Sequence, residues 1–198
     1  PWMYSKIKKG DIRSMRKVLQ LLSIVVVGIA VALMLISPEL VLIFGSPKYR
    51  EAVYVIPPVA ASVFFIFIYN ILSMPQFYYE KTQFLMAASM AAAGANVVLN
   101  FIFIRLFGYI AAGYTTLACY MLYSVGHYIV SKRILVNEGI QENLMNPGFL
   151  LACSVFLIGA SIICNLIFPY RILRYAILLA SAGLVFWKKE LLLKTLAD

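Results

Sequence analysis

With 198 residues, 63% of them hydrophobic and 13% charged, the chain departs from an ordinary soluble domain, where about a quarter of positions are charged. Its mean hydropathy of +0.90 points the same way. A net charge of +9 does not imply nucleic acid, because the basic residues gather at the ends of apolar stretches and form no stripe with interleaved aromatics.

Six long apolar stretches follow one another, at residues 18–37, 52–79, 82–104, 109–131, 148–168 and, shorter and holding Arg174, 172–187. About 20 apolar residues carry a helix across ~30 Å of hydrocarbon, so the predicted fold class is an all-α integral membrane protein with six transmembrane helices. Residues 1–17, basic and interrupted by Gly10-Asp11, read as a cytoplasmic loop. The first span is expected to end at Pro38, with 40–44 lying at the outer interface. The second carries Pro57, Pro58 and Pro75, each of which removes a backbone donor, so a bent or broken helix with these three as hinge candidates is expected.

Within the third span, Ala88, Ala92, Asn96 and Asn100 recur every four residues and share one face. Small residues there let a neighbouring helix approach, and the asparagines can bond across the contact. The fourth span carries Gly113, Thr116, Tyr120, Tyr123 and His127 on a single stripe. Residues 136–147 are the most polar internal stretch and the expected linker between a four-span unit (18–135) and a C-terminal pair of spans with its tail (148–198). Arg174, near a span end, is expected to snorkel to the interface.

Basic residues set the expected orientation. Lys6, Lys8, Lys9, Arg13, Arg16, Lys17, Lys81, Lys132, Arg133, Lys188, Lys189 and Lys194 fall on one side of a six-span chain. Lys48, Arg50, Arg105, Arg171 and Arg174 fall on the other, which places both termini in the cytoplasm. Cys119, Cys153 and Cys164 all lie inside spans without a CxxC or His-Cys cluster, so they read as small buried apolar residues and no metal is expected. The spans hold no acidic residue, so an enzyme that needs clustered carboxylates is not expected.

Three local patterns carry a resemblance. They are Pro1-Trp2-Met3-Tyr4-Ser5-Lys6 with Lys9-Gly10-Asp11; Leu42-Ile43-Phe44-Gly45 with Tyr49-Arg50-Glu51-Ala52 and Ile56-Pro57; and a third, longer series. The third runs Tyr79-Glu80-Lys81-Thr82, Asn96-Val97-Val98-Leu99-Asn100, Phe107-Gly108-Tyr109, Ala111-Ala112-Gly113 and Thr115-Thr116. In this order the chain resembles the C-terminal part of a bacterial O-antigen-type polysaccharide flippase of the multidrug/oligosaccharidyl-lipid/polysaccharide exporter superfamily. Relatives often place a proline before the Phe-Gly, where this chain has Arg105.

The resemblance implies that four spans belong to the second lobe of a two-lobed transporter and two are extra C-terminal helices. It implies missing N-terminal helices of a longer parent chain, a place in the bacterial inner membrane, and possible contact with polysaccharide polymerase machinery. The implied substrate is an undecaprenyl-pyrophosphate carrying a sugar repeat, flipped from the cytoplasmic to the periplasmic leaflet with no cofactor. The competing reading is a self-contained small transporter or accessory subunit that dimerises to complete a cavity.

Each candidate residue has a plainer role beside the functional one. Asn96 and Asn100 either bond sugar hydroxyls or tie two helices together. Thr116, Tyr120 and Tyr123 either line a lumen or pack. His127, the only histidine, either handles phosphate or protons, as intramembrane ionisable groups do, or sits near the cytoplasmic interface. Arg105 and Lys81, at opposite ends of the third span, either hand on a pyrophosphate or merely set topology.

Overall fold

The computed structural model describes residues 2–187, and every element among them is helical. The order is α1 (Trp2–Lys8), α2 (Ile12–Phe44), a 3-10 helix (Pro47–Val55), α3 (Ile56–Tyr78), α4 (Gln83–Phe107), α5 (Ala111–Asn137), α6 (Pro147–Ile167) and α7 (Arg171–Trp187). Four segments are long and apolar enough to cross a bilayer: α2, the run 48–78 that ends in α3, α4 and α6. α5 is as long but more polar, and α7 contributes 17 described residues. Pro1 lies outside the described residues, as do Lys188, Lys189 and Lys194, which enter the sequence-based charge count.

The turns are specified locally. Asp11 caps α2, accepting from the Ser14 backbone N–H at 3.3 Å and from Lys6 Nζ at 2.6 Å. These donors hold its carboxyl down at about 2. α5 ends with Ile140 N–H on Leu135 O and Gly139 N–H on Val136 O, with Gly139 at φ 82°. Those two bonds satisfy carbonyls that the helix end would strand, and the left-handed residue suits glycine. The end of α3 repeats the motif with Glu80 at φ 56° in the left-handed position.

α3 is the central helix, packed on α2, α5 and α6; α7 lies against α2 and α6, and α4 packs on α5. Phe64, Leu72, Met34, Leu135, Met145 and Leu157 fill the core. Arg16 reaches Glu142 and the Asn143 carbonyl, Lys81 reaches Glu138, and the Tyr4 ring packs at a tilt against Tyr78. These contacts gather the start of α2, the α3–α4 turn and the 138–146 loop at one end of the bundle. At the opposite end Tyr109 donates to Glu51, and Glu39 pairs with Arg174. The chain therefore alternates between two ends, and Lys6, Arg13, Arg16, Lys81, Lys132 and Arg133 belong to the first.

Four sequence expectations are corrected. The basic segment is helical: α1 and the first turns of α2 replace a loop. α2 does not end at Pro38 but runs on to Phe44, with no separate interfacial piece. The carbonyls beside the proline are taken up instead, Met34 O by the Ser37 hydroxyl and Leu35 O by Arg174 Nη1, both at 2.7 Å. Pro57 and Pro58 do not kink a helix interior; they occupy the first positions of α3, where a missing N–H costs nothing. Pro75 does lie inside α3, in its last turn. Finally, Arg174 does not snorkel: it is buried against α2.

Candidate functional site

α4 contains no buried residue, and its half-covered positions are Phe84, Leu85, Ala88, Ala92, Asn96, Leu99 and Asn100, which include the face picked out by the four-residue repeat. That face meets α5. Asn100 donates to Asn96 Oδ1 at 2.9 Å and accepts from Thr115 Oγ1, and Asn96 donates to Thr116 at 3.5 Å. Two turns nearer the α3–α4 hairpin, the Ser89 hydroxyl meets the Tyr123 phenol at 2.6 Å. The amides and hydroxyls thus form a ladder joining two otherwise apolar helices.

Where the ladder parts, a cleft of about 450 Å³ opens between α3, α4 and α5. Asn96 and Ser89 of α4, Thr116, Tyr120 and Tyr123 of α5, and Tyr69 of α3 line it. Tyr69 and Tyr120 are nearly parallel, 6.3 Å apart with 6° between planes, and Tyr123 meets Tyr69 edge-on at 4.7 Å. The rings stand in register because Ser124 Oγ donates to Phe65 O, locking α5 to α3 one turn away. Gly113 permits the same close approach higher up: a Cβ there would lie 2.8 Å from Pro58 Cγ and 3.0 Å from Val55 O.

Asn96, Thr116, Tyr120 and Tyr123 come together in this cleft, and Asn100 stands behind it in the ladder. His127 lies below its floor, fully buried, with the rings of Tyr123, Phe84 and Tyr69 at 4.5, 5.4 and 5.8 Å. Its Nδ1 accepts from the Gln76 amide at 2.7 Å. Arg105 and Lys81 stand apart from the cleft lining. Arg105 lies over the Phe101 ring at 3.8 Å, and Lys81 forms an ion pair with Glu138 at 2.8 Å. Sequence reasoning missed Tyr69, Ser89 and Gln76. Gln76, an amide inside an apolar run, was the one with a signal to read.

Chemically the cleft offers flat aromatic faces, hydroxyls and amides at helix mid-depth, and among its lining residues no charge. Such a surface holds neutral, polyhydroxylated groups: ring faces take C–H surfaces while amides and hydroxyls bond the rims. These features define an all-helical protein of membrane type with an aromatic and amide cleft between three helices. No protein-family model, no curated protein and no solved structure matches the chain.

Proposed function

We propose that the chain is part of a flippase carrying undecaprenyl-pyrophosphate-linked oligosaccharide units across the bacterial inner membrane for polysaccharide synthesis. The observation that supports this reading most is the convergence of three tyrosines with Asn96, Ser89 and Thr116 in one cleft between α3, α4 and α5. Hydrated sugars cannot enter hydrocarbon unless side chains replace the lost water contacts, and this lining can do so. In this reading six helices cross. α5 tolerates its polar residues because α3 and α4 cover them, and α7 is the sixth span. The end bearing Lys6, Arg13, Arg16 and Lys81 faces the cytoplasm.

The pyrophosphate requires a cation, and Arg105 is the candidate that forms no ion pair among the described residues. Lys81 is already neutralised by Glu138. The isoprenoid tail stays in the bilayer beside the open face of α4. Missing helices of a longer parent would close that side and supply the second lobe for alternating access.

Export in a flippase-deleted bacterium tests the reading. With the upstream-extended parent chain, Asn96→Ala and Tyr120→Ala should each lower surface polysaccharide about fivefold at unchanged protein level. That ratio corresponds to ~1 kcal/mol, the scale of one aromatic contact. Unaltered export from both variants would return these residues to a packing role. The unburied α4 favours a second reading, in which another copy of the chain covers it and completes a dimeric transporter. Restoration of export by these 198 residues alone would decide for the dimer.

A further inference from the structure

Three buried polar atoms at the foot of the cleft lack a hydrogen-bond partner among the described residues: Gln76 Oε1, His127 Nε2 and Ser131 Oγ. All belong to one junction, since Gln76 bonds His127 and Ser131 follows it by one turn on the same face of α5. α3 contributes Gln76 and Tyr69, α4 contributes Phe84, and α5 contributes His127 and Tyr123. The titratable groups against the ring are thus the phenols of Tyr69 on α3 and Tyr123 on α5; α4 presents only Phe84. No carboxylate pairs with the ring among the described residues.

Because the Gln76 amide nitrogen can only donate, His127 Nδ1 must accept, and the neutral ring carries its proton on Nε2. That arrangement is self-consistent only while the ring is uncharged. A proton added to the Nδ1 lone pair turns both ring nitrogens into donors, which breaks the Gln76 bond. The amide must then rotate to offer Oε1, and Nε2–H still lacks an acceptor. A buried cation without counter-ion or full hydrogen bonding is costly, so the charged ring favours any arrangement that admits water. Phe84 is the lid over that ring, and it belongs to the helix with no buried residue.

We infer that the His127–Gln76 pair is a proton-operated latch on the cleft, closed with the imidazole neutral and released with it charged. Release shifts α4 away from α3 and α5, because Phe84 seals the junction and Tyr123, packed on the same ring, holds Ser89 of α4. The proton enters from the bundle end that carries Lys132 and Arg133, past Ser131. The latch is independent of what the cleft carries.

The test uses the full chain in lipid nanodiscs, with the three cysteines made alanine. Spin labels go on Met90 of α4 and Val63 of α3, both exposed. Because His127 is the only histidine, nitrogen-15 histidine labelling gives one imidazole signal that reports its proton directly. Between about pH 8 and the acidic pH at which that signal shows the imidazole charged, the Met90–Val63 distance distribution should gain a longer component in step with that signal. His127→Gln, which keeps an amide but cannot charge, should hold the short component at both pH values. Identical wild-type distributions at the two pH values overturn the latch. So does a pH response that survives in His127→Gln. Should that variant not fold, an imidazole that titrates while the distance stays fixed overturns it equally.

Discussion

Arg174 gives both arms of its guanidinium to Glu39, at 2.8 Å each, and Tyr175 adds a phenol to the same carboxylate at 2.9 Å. The two partners are unequally buried, Arg174 being 3% exposed and Glu39 21%. Stranding the arginine therefore costs more than stranding the glutamate. Glu39→Leu is expected to lower unfolding free energy by about 3 kcal/mol, the scale for an orphaned buried charge. Arg174→Leu should cost less, although it also uncovers Leu35 O beside Pro38. The double Leu variant should lose less than the sum of the two, because neither charge is left behind. Equilibrium unfolding of the four proteins in detergent measures all of these differences. Nothing in the local sequence announces this pair, since its members are separated by 135 positions.

At the scale of elements, the approach of α5 to the start of α3 depends on Gly113. A methyl there would meet Val55 O, a backbone atom that cannot swing aside, as well as the Pro58 ring. Gly113→Ala is expected to destabilise by about 1–3 kcal/mol, as overpacking does in a fixed interior, and thermal unfolding reads the loss. Gly159, which no neighbouring atom crowds, provides the control: alanine there should leave the midpoint nearly unchanged. The same spacing logic explains what could be read in advance. The Ala88-Ala92-Asn96-Asn100 face and the Thr116-to-His127 stripe are periodic within single helices, so each was legible by counting. Their meeting in a cleft with Tyr69 was not, because that requires the register of α3 against α5, set by Ser124 on Phe65 O. Prolines misled for a related reason. Pro57 and Pro58 look like breaks inside a 28-residue run until Val55 closes a 3-10 helix before them, and Pro38 looks like a stop until Ser37 and Arg174 supply the bonds it removes.

For the whole molecule, the alternation of loops between two ends fixes which segments must appear together on either side of a bilayer. The contacts Arg16–Glu142 and Lys81–Glu138 tie the start of α2, the α3–α4 turn and the 138–146 loop into one surface. Ser46 and the 3-10 helix after it lie at the opposite end. Moving the first surface to the non-cytoplasmic side would carry its basic residues outward, against the bias that orients helical membrane proteins. A cysteine at the exposed Ser46, in a cysteine-free background, should react within minutes with a thiol reagent that cannot cross the membrane of intact cells. A cysteine at the exposed Gln141 should react only after the cells are opened. Gln141 is preferred to Asn143, whose carbonyl holds Arg16 and whose side chain is half-buried. Labelling in the reverse order would invert the orientation and turn the foot of the cleft, with His127, away from the cytoplasm. Labelling of both sites in intact cells would instead show that α3, α4 and α5 do not cross as a set, which would remove the cleft from the membrane and with it the case for sugar passage.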